Sequence, residues 1–185
     1  MVVRSAKPIL IVLTGRPGSG KSTLSKKLAE SLGYYLLSRD VEKEALLVEL
    51  GQSHQEAGPD INQRATRRFF TKANDLLAKG IDVIAEAAFQ QKIWASWVND
   101  ATAQATVRCL ICDVSAAQAI ERFDLRRLQD PCRFYHQGED DDKIGGAHEL
   151  ISNYLPPVFE LPLLRVNTSS GYDPDLTEIT NFCRQ

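Results

Sequence analysis

Gly15-Arg16-Pro17-Gly18-Ser19-Gly20-Lys21-Ser22 is the stretch that decides how this chain reads. Its spacing is G-x-x-x-x-G-K-S, the phosphate-binding loop pattern, with Thr23 next. Ile9-Leu10-Ile11-Val12-Leu13 precedes it as an unbroken apolar run, the mark of a strand buried on both faces. Leu24, Leu28 and Leu32 follow at helical spacing, so a helix opens just past the loop. A loop between a buried strand and a helix points backbone N–H groups at one spot, and the helix N-terminus adds partial positive charge there. Gly15, Gly18 and Gly20 leave the backbone free to wrap around an anion. Lys21 can reach the β- and γ-phosphates of a nucleotide, and the Ser22 hydroxyl can ligate Mg²⁺. The loop residues Gly15 to Ser22, with Thr23, are therefore the expected nucleotide-binding set.

Working outward, Tyr34-Tyr35-Leu36-Leu37 reads as a second strand after a helix stop at Gly33. Ser38-Arg39-Asp40 falls at its carboxyl end, and a helix runs on through Glu49. Strand carboxyl ends form the ligand crevice in open α/β sheets, so Asp40 is expected near the phosphates. Gly51 to Pro59 is a break. Ile61 to Lys79 reads as a helix carrying Arg64, Arg67 and Arg68. Ile81-Asp82-Val83-Ile84-Ala85-Glu86 is a third strand ending in a carboxylate, where nucleotide-binding proteins of this type place an acid in the Mg²⁺ shell. That acid is usually Asp, and here it is Glu86. Residues 90–103 form a helix with Trp94 and Trp97, which read as packing. Thr106 to Cys112 is a fourth strand. Ser115 caps the next helix, with Ala116, Ile120 and Phe123 as its core stripe and Arg122 and Arg126 on another face.

Residues 127–146 are polar and turn-rich, with Arg133, His136, the acidic run Glu139 to Asp142, and Gly145-Gly146. They read as a mobile lid. A helix over 147–155 follows, then Leu163 to Asn167 as a fifth strand, and Asp173-Pro174 opens a last helix. Strand and helix alternate throughout. That predicts an α/β fold, a five-stranded parallel sheet with helices on both faces.

The chain has 185 residues, 43% of them hydrophobic, and a formal charge of −2. Residues 1–185 are expected to form a single domain with a small lid. The charge does not recruit nucleic acid or an anionic membrane in bulk. No apolar run has membrane-spanning length, and Met1 to Pro8 lacks a signal-peptide core, so a cytoplasmic protein is expected. Cys109 and Cys112 are spaced C-x-x-C, but residues three apart on a strand face opposite sides, and neither a second pair nor a nearby His completes a zinc site. They read, with Cys132 and Cys183, as reduced apolar residues.

The order of features resembles a group of P-loop phosphotransferases with an AAA-type ATP-binding core: the polynucleotide kinase domain, chloramphenicol phosphotransferase, gluconate kinase and, more distantly, adenylate kinase. The residues that carry the resemblance are the loop at 15–22, Ser38-Arg39-Asp40 after strand two, and Arg122-x-x-x-Arg126. The resemblance implies strand order 2-3-1-4-5. It implies that Asp40 contacts the acceptor hydroxyl as general base, that Arg122 packs on adenine, and that Arg126 touches the transferring phosphates. Asn167-Thr168-Ser169 matches the segment that borders the adenine. Polynucleotide kinases read D-x-x-R after strand two, the Arg gripping the substrate phosphate. Lys43 stands there in this chain.

The residues also admit blander readings. Asp40 can be a helix cap. Arg122 and Arg126 can be a solvated helix face, and Arg64, Arg67 and Arg68 fit a solvated face better than an anion site. The expected activity is an ATP- and Mg²⁺-dependent kinase. Lys21, Asp40 and Arg126 would be catalytic, aided by Arg127 and Arg133. Ser22 and Glu86 would hold the metal, and a small-molecule hydroxyl would be the acceptor. The alternatives are a nucleic-acid 5′-hydroxyl or nucleotide-sugar (toxin-like) kinase, and a nucleotide-dependent switch or ATPase with no acceptor.

Overall fold

The computed structural model describes residues 7–53, 56–58, 60–129 and 141–185, with side chains from 145 onward in the last segment. In chain order the elements are β1 (Ile9–Gly15), α1 (Lys21–Leu32), β2 (Tyr35–Ser38), α2 (Arg39–Leu50), α3 (Ile61–Ala78) and β3 (Val83–Glu86). Then come α4 (Gln91–Ala101), β4 (Thr106–Asp113), α5 (Ala116–Gln129), α6 (Asp141–Ser152), β5 (Leu163–Asn167) and α7 (Leu176–Arg184).

The sheet order is β2-β3-β1-β4-β5, all parallel, as the resemblance implied. β1 lies in the middle because it is apolar on both faces. Leu10 and Val12 point into the layer formed with α3 and α4, whereas Ile11 and Leu13 point into the layer formed with α1 and α7. Each fully buried Leu or Ile contributes about 1.5–3 kcal/mol relative to exposure, so the strand's register is strongly fixed. Cys109 and Cys112 fall on opposite faces for the same reason, one in each layer. Burial pushes both thiols up to about 12, so they are inert apolar fillers.

Trp94 is fully buried, and it packs edge-on against Phe69 and Phe89 on the α3–α4 side. The parallel register aligns the strand ends: Ser38 lies opposite Glu86, Leu13 opposite Glu86, Gly15 opposite Cys112, and Asp113 opposite Asn167. The phosphate loop, the end of β3 and the start of α2 thus converge on one edge of the sheet.

Several boundaries differ from the sequence reading. Tyr34, Ile81 and Asp82 stand outside the strands: Tyr35 N–H donates to the Asp82 carbonyl, and Asp82 Oδ1 accepts the Ile9 N–H. Residues 141–146, read as turn, belong to α6. Gly145 and Gly146 cost that helix about 1 kcal/mol each, but its packing on α5 wins, through fully buried Ile151 and a 2.9 Å contact of His148 with Asp124. The rest of the lid, 130–140, lies outside the described residues, and Arg133 and His136 with it. The last helix is capped by Asp175, whose side chain accepts the Glu178 N–H. Asp173 is unavailable for that task because its backbone pairs with Asn167.

Candidate active site

The loop after β1 passes so close to its neighbours that side chains are excluded. A Cβ at Gly18 would collide with the backbone carbonyl of Ala119, at a φ of 84° that other residues rarely adopt. A Cβ at Gly15 would strike the Cys112 carbonyl. The loop is held from below as well: Thr168 Oγ1 donates to the Ser19 carbonyl at 2.8 Å. From the side, Arg16 Nη1 donates to the Ile151 carbonyl at the end of α6. α1 begins at Lys21, and the Thr23 and Leu24 N–H groups already donate to the Gly20 carbonyl, so the Lys21 and Ser22 N–H groups are the ones left without an intrahelical acceptor at the loop.

Lys21 is 7% exposed, and its Nζ donates to the Arg16 carbonyl at 2.9 Å. Burial holds its pKa below the ordinary 10.5; the carboxylates of Glu86 and Asp40 oppose that shift, and Arg126 adds to it. Lys21, Asp40, Glu86 and Arg126 therefore share one electrostatic neighbourhood although they come from four elements.

Glu86, 4% exposed, is held at both oxygens. Ser22 Oγ lies 3.5 Å from Oε1, and Ser38 Oγ donates to Oε2 at 2.7 Å. One hydroxyl and one carboxylate suit Mg²⁺, a hard cation that keeps much of its shell as water and phosphate oxygen. Ser22 and Glu86 could hold it here.

Asp40 lies in the first turn of α2, with its side chain 78% exposed and 3.4 Å from Arg39. Ser38 takes the N-cap position, so Asp40 is not the cap. Arg39 also donates to the Asn62 side chain at 2.8 Å. Lys43 is half-buried, and burial and the nearby Arg39 lower its pKa while Asp40 opposes that shift.

Arg122 Nη2 donates to the carbonyls of Thr168 and Ser169, each at 2.8 Å, and Gln118 reaches the Ser169 carbonyl too. Arg122 is therefore tied to the segment after β5 instead of standing on a solvated face. Arg126 Nε donates to the Arg122 carbonyl. Asn167 is exposed, and its side chain accepts the Ser169 N–H. It borders an open cavity of about 280 Å³ shared with Asp113, Ser115 and Arg165.

Arg68 lies on neither a solvated face nor an anion site. It bridges the buried Glu42 and the exposed Glu49, and Lys72 joins at Glu42, so α2 is clamped to α3. Arg67 is exposed and Arg64 half-buried. The sequence reading gave Tyr154 no role, and named Ser38 and Thr168 only within longer segments. Tyr154 shares a buried hydrogen bond with Thr14, the residue before Gly15, and Trp94 Nε1 donates to the same Thr14 hydroxyl. A polar side chain ending an apolar strand was the available signal.

A structure of a Chloroflexus aurantiacus protein provisionally named a kinase superposes on this chain with a TM-score of 0.77 at 28% identity, covering 98% of this chain and 96% of that one. The Mycobacterium tuberculosis APS kinase CysC, solved with AMPPNP and APS, shares the fold at a TM-score of 0.64 and 20% identity, over 97% and 99% of the two chains. A Thermococcus kodakarensis protein provisionally named an adenylate kinase is 40% identical over 73 residues. That match spans 39% of this chain and less than half, 41%, of the relative. The profile of the AAA domain family matches residues 10–137. With the phosphate loop, the sheet order and that match in place, the chain belongs to the AAA domain family and to its P-loop kinases.

Proposed function

We propose that this protein is an ATP- and Mg²⁺-dependent kinase that transfers the γ-phosphoryl group to a hydroxyl of a small molecule. The observation that carries the reading is the placement of Asp40. It is an exposed carboxylate in the first turn of α2, two residues past the Ser38 whose hydroxyl donates to Glu86, and its charge reaches Lys21. A switch or plain ATPase has no use for an acid on the acceptor side.

Phosphoryl transfer asks little covalent chemistry of the protein and much positioning. The loop amides and Lys21 bind the phosphates, and Lys21 exchanges its carbonyl partner for an anion. Ser22 and Glu86 would hold Mg²⁺, which would supply charge neutralisation for the transferring phosphate. Arg122 fixes the Thr168–Ser169 backbone, which with Asn167 borders the base. Asp40 orients the acceptor hydroxyl and takes its proton as the hydroxyl oxygen bonds to the γ-phosphorus and the bond to the bridging oxygen breaks, releasing ADP. Arg126, close enough to lower the Lys21 pKa, adds positive charge where the transition state carries negative charge.

A second reading is an anionic acceptor, a nucleotide or a nucleic-acid 5′ end. Arg39 and Lys43 favour it, since they put two cations beside Asp40. The two readings part under one experiment. ATP consumption is followed against a panel of sugars, other alcohols, nucleoside monophosphates and 5′-hydroxyl oligonucleotides, with product mass as readout. A phosphorylated alcohol supports the first reading. Nucleotide or oligonucleotide product supports the second, and ATP hydrolysis with no phosphorylated product defeats both.

A further inference from the structure

We propose that Ser38 is a positioning residue for the divalent-cation site: its hydroxyl donates to Glu86 Oε2 and leaves Oε1 turned toward Ser22. The proposal rests on the reading that Ser22 and Glu86 hold the metal. Three observations carry it.

The first is register. Ser38 and Glu86 are partners across the β2–β3 ladder, so their side chains rise on the same face at the crevice edge. The second is the hydroxyl's allegiance. Serine at an N-cap ordinarily accepts a backbone N–H from the first helical turn. Ser38 holds the N-cap of α2 but makes no such bond, and its hydroxyl is given to the carboxylate at 2.7 Å. The third is the identity of the acid. Glutamate has one more rotatable bond than aspartate, so a glutamate ligand needs an added restraint to present one oxygen. With Oε2 occupied by Ser38 and Oε1 3.5 Å from Ser22, the buried carboxylate has that restraint. Ser38 also stands two residues before Asp40, so the same bond moors the start of α2 to the cation site.

The test is calorimetric binding of a non-hydrolysable ATP analogue in Mg²⁺ and in EDTA, for wild type, Ser38→Ala, Ser38→Thr and Glu86→Gln. The quantity read is the ratio of the two affinities. Ser38→Ala should lower that ratio about tenfold, the worth of a hydrogen bond to a charged group, while its affinity in EDTA stays at the wild-type value. Ser38→Thr keeps a hydroxyl and should restore most of the ratio, which a merely structural role would not require. A wild-type ratio in Ser38→Ala beside a collapsed ratio in Glu86→Gln overturns the proposal and leaves the metal site standing. An unchanged ratio in Glu86→Gln removes Glu86 from the metal site, and the proposal falls with it. If Ser38→Ala does not fold, Ser38→Cys carries the test, because a thiol of similar size donates only weakly: a lowered ratio supports the proposal and a wild-type ratio overturns it.

Discussion

Lys21 Nζ donates to the carbonyl oxygen of Arg16, so the loop's cation is folded onto its own backbone. A carbonyl compensates a buried ammonium less well than a phosphate does. Lys21→Met keeps the stem and removes the charge. The ligand-free variant should melt no lower than wild type, and up to about 1 kcal/mol more stable, since a poorly paired buried charge is gone. Its ATP affinity should fall by about 10²-fold or more. Calorimetry and thermal melts on the same preparation check both. Because burial sets the folded pKa below 10.5, the unfolded chain binds the extra proton as pH approaches 10.5 from below. Wild-type stability attributable to Lys21 therefore rises with pH between the lowered value and 10.5, and Lys21→Met should flatten that rise.

Arg122 holds two carbonyls of the segment after β5 with one guanidinium. Arg122→Ala should weaken ATP binding about tenfold by releasing the Thr168–Ser169 backbone. Arg122→Lys should rescue only part of that loss, since an ammonium lacks the planar fork. Nucleotide titrations decide it, and full affinity in Arg122→Ala would return the side chain to a solvated face.

Arg68 is half of a clamp and not part of the phosphate machinery. Arg68→Ala should cost about 1–2 kcal/mol, the worth of partly screened charged hydrogen bonds, and leave ATP affinity unchanged. The Arg68 guanidinium also holds the Glu49 carboxyl below its ordinary 4.5. That contribution is present above pH 4.5 and fades as pH falls through the lowered value, so the variant should lose less stability on acidification than wild type. Urea melts across pH check the sign.

The core of this fold was legible because its signals are local. Ile9 to Leu13 is apolar on both faces, and the glycine spacing at 15–20 fits one loop. Ser115 caps α5 as its position implied, accepting the Gln118 N–H. What stayed hidden depends on partners distant in sequence. Asp173 looked like a helix start until its pairing with Asn167 took the backbone. Gly145 and Gly146 looked like a turn because their helix is carried by Ile151 and His148 against α5. Arg68 looked solvated because Glu42 and Glu49 lie on another helix. The hydrogen bond from Ser38 to Glu86 stayed hidden because the two residues lie 48 positions apart.

The central claim is that Asp40 is the acceptor-side base of a kinase. Asp40→Asn keeps the side-chain shape and removes the proton acceptor. The deciding measurement is transfer of label from γ-labelled ATP to a hydroxyl acceptor by Asp40→Asn, with ATP affinity recorded on the same protein. The account predicts that transfer falls by about 10²–10⁴-fold, the range for a positioned base, while ATP affinity holds, as a side chain that serves the acceptor and not the adenine requires. Near-wild-type transfer by the folded variant would contradict it.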